Sequence, residues 1–125
     1  MTDKNLQGRS ILLVEDDYMQ AREMTLYLQR QGAQVVGPTG RAGDVPLLLA
    51  EQPVDAAILD INLGRGAGYE TAELLAREGV PFAFLTGYDH SAIPEAFAAV
   101  PCLNKPARET DVMKMLAEVF ETRGS

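Results

Sequence analysis

The chain predicts an α/β fold: a doubly wound, five-stranded parallel sheet with helices on both faces. Three observations carry this expectation. Five short, apolar, β-rich runs alternate with stretches whose apolar residues recur at helical spacing. Gly and Pro punctuate the junctions between them. Acidic, hydroxyl and ammonium side chains close four of the runs, at the strand ends beyond which such sheets bind ligands.

Residues 1–9 are polar and read as an N-terminal tail. Ser10–Glu15 is a buried strand, apolar and too short for a helix. Asp17–Gln31 is helical, with Met24, Leu26 or Tyr27, and Leu28 on its apolar face and Gly32 as its stop. Asp17 is the N-cap of that helix and is left out of any site. Ala33–Gly37 is a second strand, bounded by Gly37-Pro38. Ala42–Gln52 is a helix with Val45, Leu48 and Leu49 on one face, followed by Pro53. Ala56–Asp60 is the third strand, 64–68 a flexible loop, and Tyr69–Arg77 a helix ended by Gly79. Pro81–Thr86 is the fourth strand, and Ser91–Ala99 a short helix with Pro94 near its first turn. Cys102–Asn104 is the fifth strand. Arg108–Thr122 is the last helix, carrying Val112, Met115, Leu116, Val119 and Phe120 in helical spacing, and residues 123–125 are a C-terminal tail.

Bulk properties narrow the class. At 125 residues and 46% hydrophobic content, one globular domain is expected over residues 10–122, with no output domain expected after it. The single Cys102 excludes a disulfide framework and fits a reducing compartment. Met1–Asn5 lacks the layout of a signal peptide, and no apolar run approaches the roughly 20 residues of a membrane helix. A cytoplasmic protein is expected. A net charge of −7 argues against a nucleic-acid surface.

The strand ends carry the chemistry. Glu15 and Asp16 close the first run, Asp60 the third, Thr86 the fourth and Lys105-Pro106 the fifth. A carboxylate can accept a phosphoryl group as a mixed anhydride, which makes Asp60 the candidate nucleophile. Three neighbouring carboxylates repel one another unless a cation lies among them. Mg²⁺ suits an all-oxygen set: Asp16, Asp60 and the backbone carbonyl of Asn62, with Glu15 acting directly or through water. Lys105 supplies a point charge for a phosphoryl oxygen or for Asp60, and its bond to Pro106 is a candidate cis peptide. Thr86, with Gly87 behind it, can swing its hydroxyl toward a phosphoryl group. Taken singly, Asp60 reads as a turn former, Thr86 as a strand residue and Lys105 as a solvated side chain. Their ordered conjunction reverses those readings.

With these residues in place, the chain resembles the receiver domain of two-component response regulators over nearly all of 10–122. The spacings from Asp16 to Asp60, from Asp60 to Thr86 and from Thr86 to Lys105 are similar to that family's pattern, as is Gly68 after Asp60. The resemblance implies the CheY-like, flavodoxin-like fold with strand order 2-1-3-4-5. By it, Asp60 is the phosphoacceptor, Glu15 and Asp16 form the acid pocket, and Thr86 and Lys105 are the switch pair. It further implies a sensor histidine kinase or phosphotransfer protein as donor, and Mg²⁺ as cofactor. A downstream protein would read the face of the fourth helix, fifth strand and fifth helix. The resemblance implies no activity beyond self-phosphorylation and autodephosphorylation.

The departures are specific. Cys102 stands where receivers carry Tyr or Phe, three residues before the switch Lys. Gly64 replaces a common Pro, and Ala107 the Phe that often follows Lys-Pro. Pro81–Tyr88 resembles the "FAT GUY" subgroup of stand-alone alphaproteobacterial regulators tied to the general stress response, with Leu85 departing from its Ala. Cys102 reads as a buried small hydrophobe, His90 as solvent-facing, and Tyr88 as a partial shield of the phosphoryl group.

Three other functions compare with this pattern. A haloacid-dehalogenase-type phosphatase needs a second Asp two residues after its nucleophile, and this chain has Asn62. A flavodoxin-like electron carrier needs a Ser/Thr/Gly-rich phosphate loop where Glu15-Asp16-Asp17 stands. A phosphate-independent adaptor is kept open by Cys102.

Overall fold

Ile11, Leu12, Leu13 and Val14 are all buried, as befits a strand covered on both faces rather than one with a wet side. In the computed structural model, which describes residues 6–61, 67–87 and 93–124, they form β1 (Ser10–Val14). It is followed by α1 (Tyr18–Arg30), β2 (Gln34–Thr39), α2 (Val45–Glu51), β3 (Ala56–Ile61), α3 (Ala67–Arg77), β4 (Phe82–Thr86), β5 (Cys102–Asn104) and α4 (Glu109–Gly124). The five strands make one parallel sheet in the order β2-β1-β3-β4-β5.

Strand alternation sorts the core into two layers. Ile11, Leu13, Ile58 and Leu85 pack with Tyr27, Leu28, Val112 and Leu116 of α1 and α4. Leu12, Val14, Leu59 and Phe84 pack with Val45, Ala72 and Leu75 of α2 and α3. The chain leaves β1 for β2 on one side and passes to β3 on the other, so the switch in strand order lies between β1 and β3. Glu15, Asp16 and Asp60 stand at the carboxyl ends of those two strands.

Local chemistry explains the boundaries. The Asp17 side chain accepts from Gln20 N–H at 2.9 Å and caps α1, as its type and position predict. Gly32, at φ +96°, follows the end of that helix in the left-handed region. Of the two expected alternatives, Tyr27 is buried and Leu26 is exposed.

Several expectations are corrected. The second strand runs on through Gly37-Pro38 to Thr39. It tolerates Pro because it is the sheet edge, and the register slips there, from Leu12↔Val36 to Val14↔Thr39. The helix expected over Ala42–Gln52 begins as a 3₁₀ turn, Ala42–Asp44, before Pro46 in the first turn of α2. α3 starts at Ala67 and so takes in Gly68, which the loop over 64–68 was expected to hold. The fourth helix is the largest correction. Among the described residues of 91–99 only a 3₁₀ turn, Glu95–Phe97, forms. Pro94 sits at φ −56°, ψ 146°, an extended conformation that cannot belong to a helix, and Pro101 biases Val100 in the same direction. Finally, the polar stretch 1–9 hides a core residue: Leu6 is 2% exposed, and its N–H donates to Gln31 O at 3.1 Å.

Candidate functional site

Each site residue is delivered by a strand end. Glu15 follows β1, and its N–H donates to Thr39 O at 2.8 Å, tying the acid pocket to the end of β2. Asp16 lies against Gly40 so closely that a Cβ there would stand 2.8 Å from Asp16 Cα. Asp60 sits one residue before the end of β3, paired with Leu85. Thr86 ends β4, 2% exposed, and its carbonyl accepts from Lys105 N–H at 2.8 Å. Lys105 is thereby anchored to the strand that carries Thr86. Lys105-Pro106 is cis, as expected.

Geometry brings Glu15, Asp60 and Lys105 into direct contact. Lys105 Nζ lies 2.7 Å from Asp60 Oδ1 and 3.3 Å from Glu15 Oε1. The two carboxylates are 2% and 3% exposed. Asp60 Oδ1 takes no hydrogen bond of good geometry from any described group; the ammonium compensates it by charge. Lys105 has a third partner, Gln20 Oε1, at 2.6 Å.

Burial and proximity reshape the titrations. The Glu15 carboxyl is pushed up to about 7 from its usual 4.5, first by burial and then by a hydrogen bond to Asp60 and the Asp60 charge. The Asp17 N–H, donating to Glu15 Oε2 at 3.0 Å, works against this rise. Burial acts to lower the Lys105 ammonium, but hydrogen bonds and charge from Asp60 and Glu15 outweigh it and leave it raised.

One oxygen from each of Glu15, Asp16 and Asp60 lies within 4.8 Å of the other two. The set is all oxygen, and one of its atoms, Asp60 Oδ1, is buried without a hydrogen bond of good geometry. Burial first, and then the hydrogen bond and charge of Asp60, raise the Glu15 carboxyl, as happens where carboxylates crowd together away from water. These donors fit a hard divalent ion such as Mg²⁺. Beside them a groove of ≈ 420 Å³ runs between α1 and α4, lined among others by Glu15, Gln20, Met24, Tyr27, Lys105 and Val112.

Asn62, Gly64, Tyr88 and His90 lie outside the described residues. Sequence reasoning missed Gln20. Its signal was slight: a neutral amide three residues after the cap, one helical turn from the acid pair. Cys102 is half-buried, pairs with Phe84 across the sheet, and packs into the α2–α3 layer. Burial pushes its thiol up, as an inert core cysteine requires. Aromatic bulk nearby comes from elsewhere: Phe97 of the 3₁₀ turn stacks on Tyr69 at 6.1 Å and meets Phe84 edge-on at 5.8 Å.

Residues 11–117 match the family model described as the response regulator receiver domain. Among solved structures, the chain is similar to SdrG from Sphingomonas melonis Fr1, at 33% identity, TM-score 0.75, with 89% of this chain and 95% of that one covered. It is similar also to the BeF3-activated conformation of SdrG from Pseudomonas melonis Fr1, at 32% identity and TM-score 0.78 over the same shares. A receiver domain of a modulated diguanylate cyclase from Desulfovibrio desulfuricans G20 follows at 25% identity and TM-score 0.80, with 92% and 95% covered. A search of curated protein sequences found no match. No described helix is long and apolar enough to cross a membrane. Strand order, strand-end acids and the family match agree: the chain belongs to the receiver domains of two-component response regulators, the phosphoryl-accepting modules of that signal transduction system.

Proposed function

We propose that this chain is a stand-alone cytoplasmic response regulator, with residues 10–122 as its receiver. In this reading Asp60 takes a phosphoryl group from the phosphohistidine of a sensor kinase or phosphotransfer protein. The observation that carries it is the Lys105 ammonium seated 2.7 Å from Asp60 inside the Glu15–Asp16–Asp60 cluster.

An Asp60 oxygen attacks phosphorus, the P–O bond forms as the P–N bond breaks, and imidazole leaves. Lys105 is placed to neutralise the charge that gathers on the phosphoryl oxygens. Asp16, Asp60 and the Asn62 carbonyl, with Glu15 directly or through water, would hold Mg²⁺, which supplies further neutralisation when bound. The Thr86 hydroxyl turns to the phosphoryl group, and Lys105, hydrogen-bonded through its backbone to Thr86, carries the change to β5 and α4. The products of signalling are protein contacts or phosphorelay, with neither nucleic acid nor membrane as partner. The segment Pro81–Tyr88 supports a place in the FAT GUY subgroup and, with it, a stress-response role.

Beryllofluoride stands in for an aspartyl phosphate, and a relative has been solved in its BeF3-activated conformation. Adding it with Mg²⁺ should shift amide resonances around Asp60, Thr86 and Lys105 in the wild type and leave Asp60→Ala unchanged. An unresponsive wild type would instead favour the phosphate-independent adaptor, the reading to which Cys102 points.

A further inference from the structure

Lys105 is a compact cation with three donors and no acceptor. Among the described residues, two of its three partners are the carboxylates of Asp60 and Glu15, and the third is the neutral amide oxygen of Gln20. Because an ammonium only donates, the Gln20 oxygen must face it.

Helix capping gives a reason why that oxygen is available. Asp17-x-x-Gln20 has the layout of a capping box, in which the third helical side chain reaches back to the N–H of the cap residue. Half of the box is made: Asp17 Oδ1 accepts from Gln20 N–H at 2.9 Å. The other half is not, because the Asp17 N–H is already taken by Glu15 Oε2 at 3.0 Å. The cap thus fixes the Gln20 backbone, while an acid-pocket residue occupies the partner that its side chain would ordinarily seek. The amide reaches Lys105 instead.

Building on the phosphoacceptor reading above, we propose that Gln20 is a positioning residue of this site, sharing the Lys105 ammonium with the Asp60 and Glu15 carboxylates. Deprived of that oxygen, the ammonium pairs only with carboxylates and competes harder with a divalent cation for them. Gln20 therefore adjusts how readily the pocket loads, without touching the reacting atoms. The α1–α4 groove opens on the same pair, so the adjustment sits where a bound molecule would meet it.

The chain has three lysines, Lys4, Lys105 and Lys114, so ¹⁵N-lysine labelling resolves the ammonium directly, and Lys105→Met assigns its signal. In metal-free wild type that signal should be protected from hydrogen exchange. Gln20→Met, which keeps length but removes the acceptor, should exchange about threefold to tenfold faster, the worth of one ordinary hydrogen bond. Gln20→Glu, which keeps an oxygen there, should retain the protection.

Calorimetric Mg²⁺ titration gives the second readout. Gln20→Met should bind Mg²⁺ about threefold or more weakly, and the same change in a Lys105→Met background should alter nothing. Wild-type exchange rates in Gln20→Met, or equal weakening in both backgrounds, would overturn the proposal. A wild type that binds no Mg²⁺ would sink the acid-pocket reading instead, while the metal-free exchange result still decides the role of Gln20.

Discussion

Glu15 is a carboxyl held between an acid neighbour and a cation, and its titration follows from that position. In the metal-free protein it should titrate near 7 rather than near 4.5. Replacing Lys105 with Met removes the one nearby charge that lowers it, so the midpoint should climb further; carboxyl ¹³C NMR reads both. The sign for stability is fixed by linkage. Between those two values the folded chain keeps a proton that the unfolded chain releases, so the Glu15 contribution falls as pH rises through that window. Mg²⁺ binding releases the proton, so its affinity should drop by up to about tenfold per pH unit below the midpoint. A Glu15 that titrates near 4.5 with and without Lys105 would contradict this geometry.

Gly40 acts at the same scale through shape. A methyl there meets Asp16 backbone at 2.8 Å, whereas one at Gly43 meets nothing within 4 Å. Gly40→Ala should cost about 1–3 kcal/mol in urea unfolding and weaken Mg²⁺ binding, and Gly43→Ala should do neither. Equal behaviour of the two variants would remove Gly40 as a support of the acid pocket.

At the scale of elements, residues 6–9 form a turn that closes one end of the α1–α4 layer. Leu6 lies in the core cluster of that layer, and the Arg9 guanidinium sits 4.3 Å from the Phe120 ring centroid. Leu6→Ala should therefore destabilise by roughly 2–5 kcal/mol, as large-to-small changes in a packed core do. A loss below about 1 kcal/mol in denaturant titration would mean that Leu6 is only laid on the surface. This burial was illegible in sequence because one leucine among polar residues carries no period. The helix expected at Ser91–Ala99 failed for a related reason. Pro94 is compatible with a first helical turn or with an extended entry, and only its surroundings choose between them. β1, β3 and β4 were legible because a strand buried on both faces is apolar without interruption. β2 was cut short at Gly37-Pro38, since nothing local says that a strand is an edge and can keep a proline.

For the whole molecule, the order of strands converts separate residues into one site. Glu15, Asp16, Asp60 and Lys105 were legible because each is a charged residue at the end of an apolar run, where burial demands a partner. Gln20 was not, since an uncharged amide in a first helical turn is ordinary until the sheet places Lys105, beyond the end of β5, within its reach. The loss of an aromatic at Cys102 was visible in sequence, and the cluster of Tyr69, Phe82, Phe84 and Phe97 beside it was not. Three distant segments converge there, and only their convergence reveals a packed aromatic group.

The central claim is that this converged site takes a phosphoryl group on Asp60. Incubation with Mg²⁺ and a small radiolabelled phosphodonor, followed by peptide mapping, tests it most directly. Acid-stable, base-labile label is expected on the peptide bearing Asp60, dependent on Mg²⁺ and lost in Asp60→Ala. Equal labelling of wild type and Asp60→Ala, or no label on either, would contradict it.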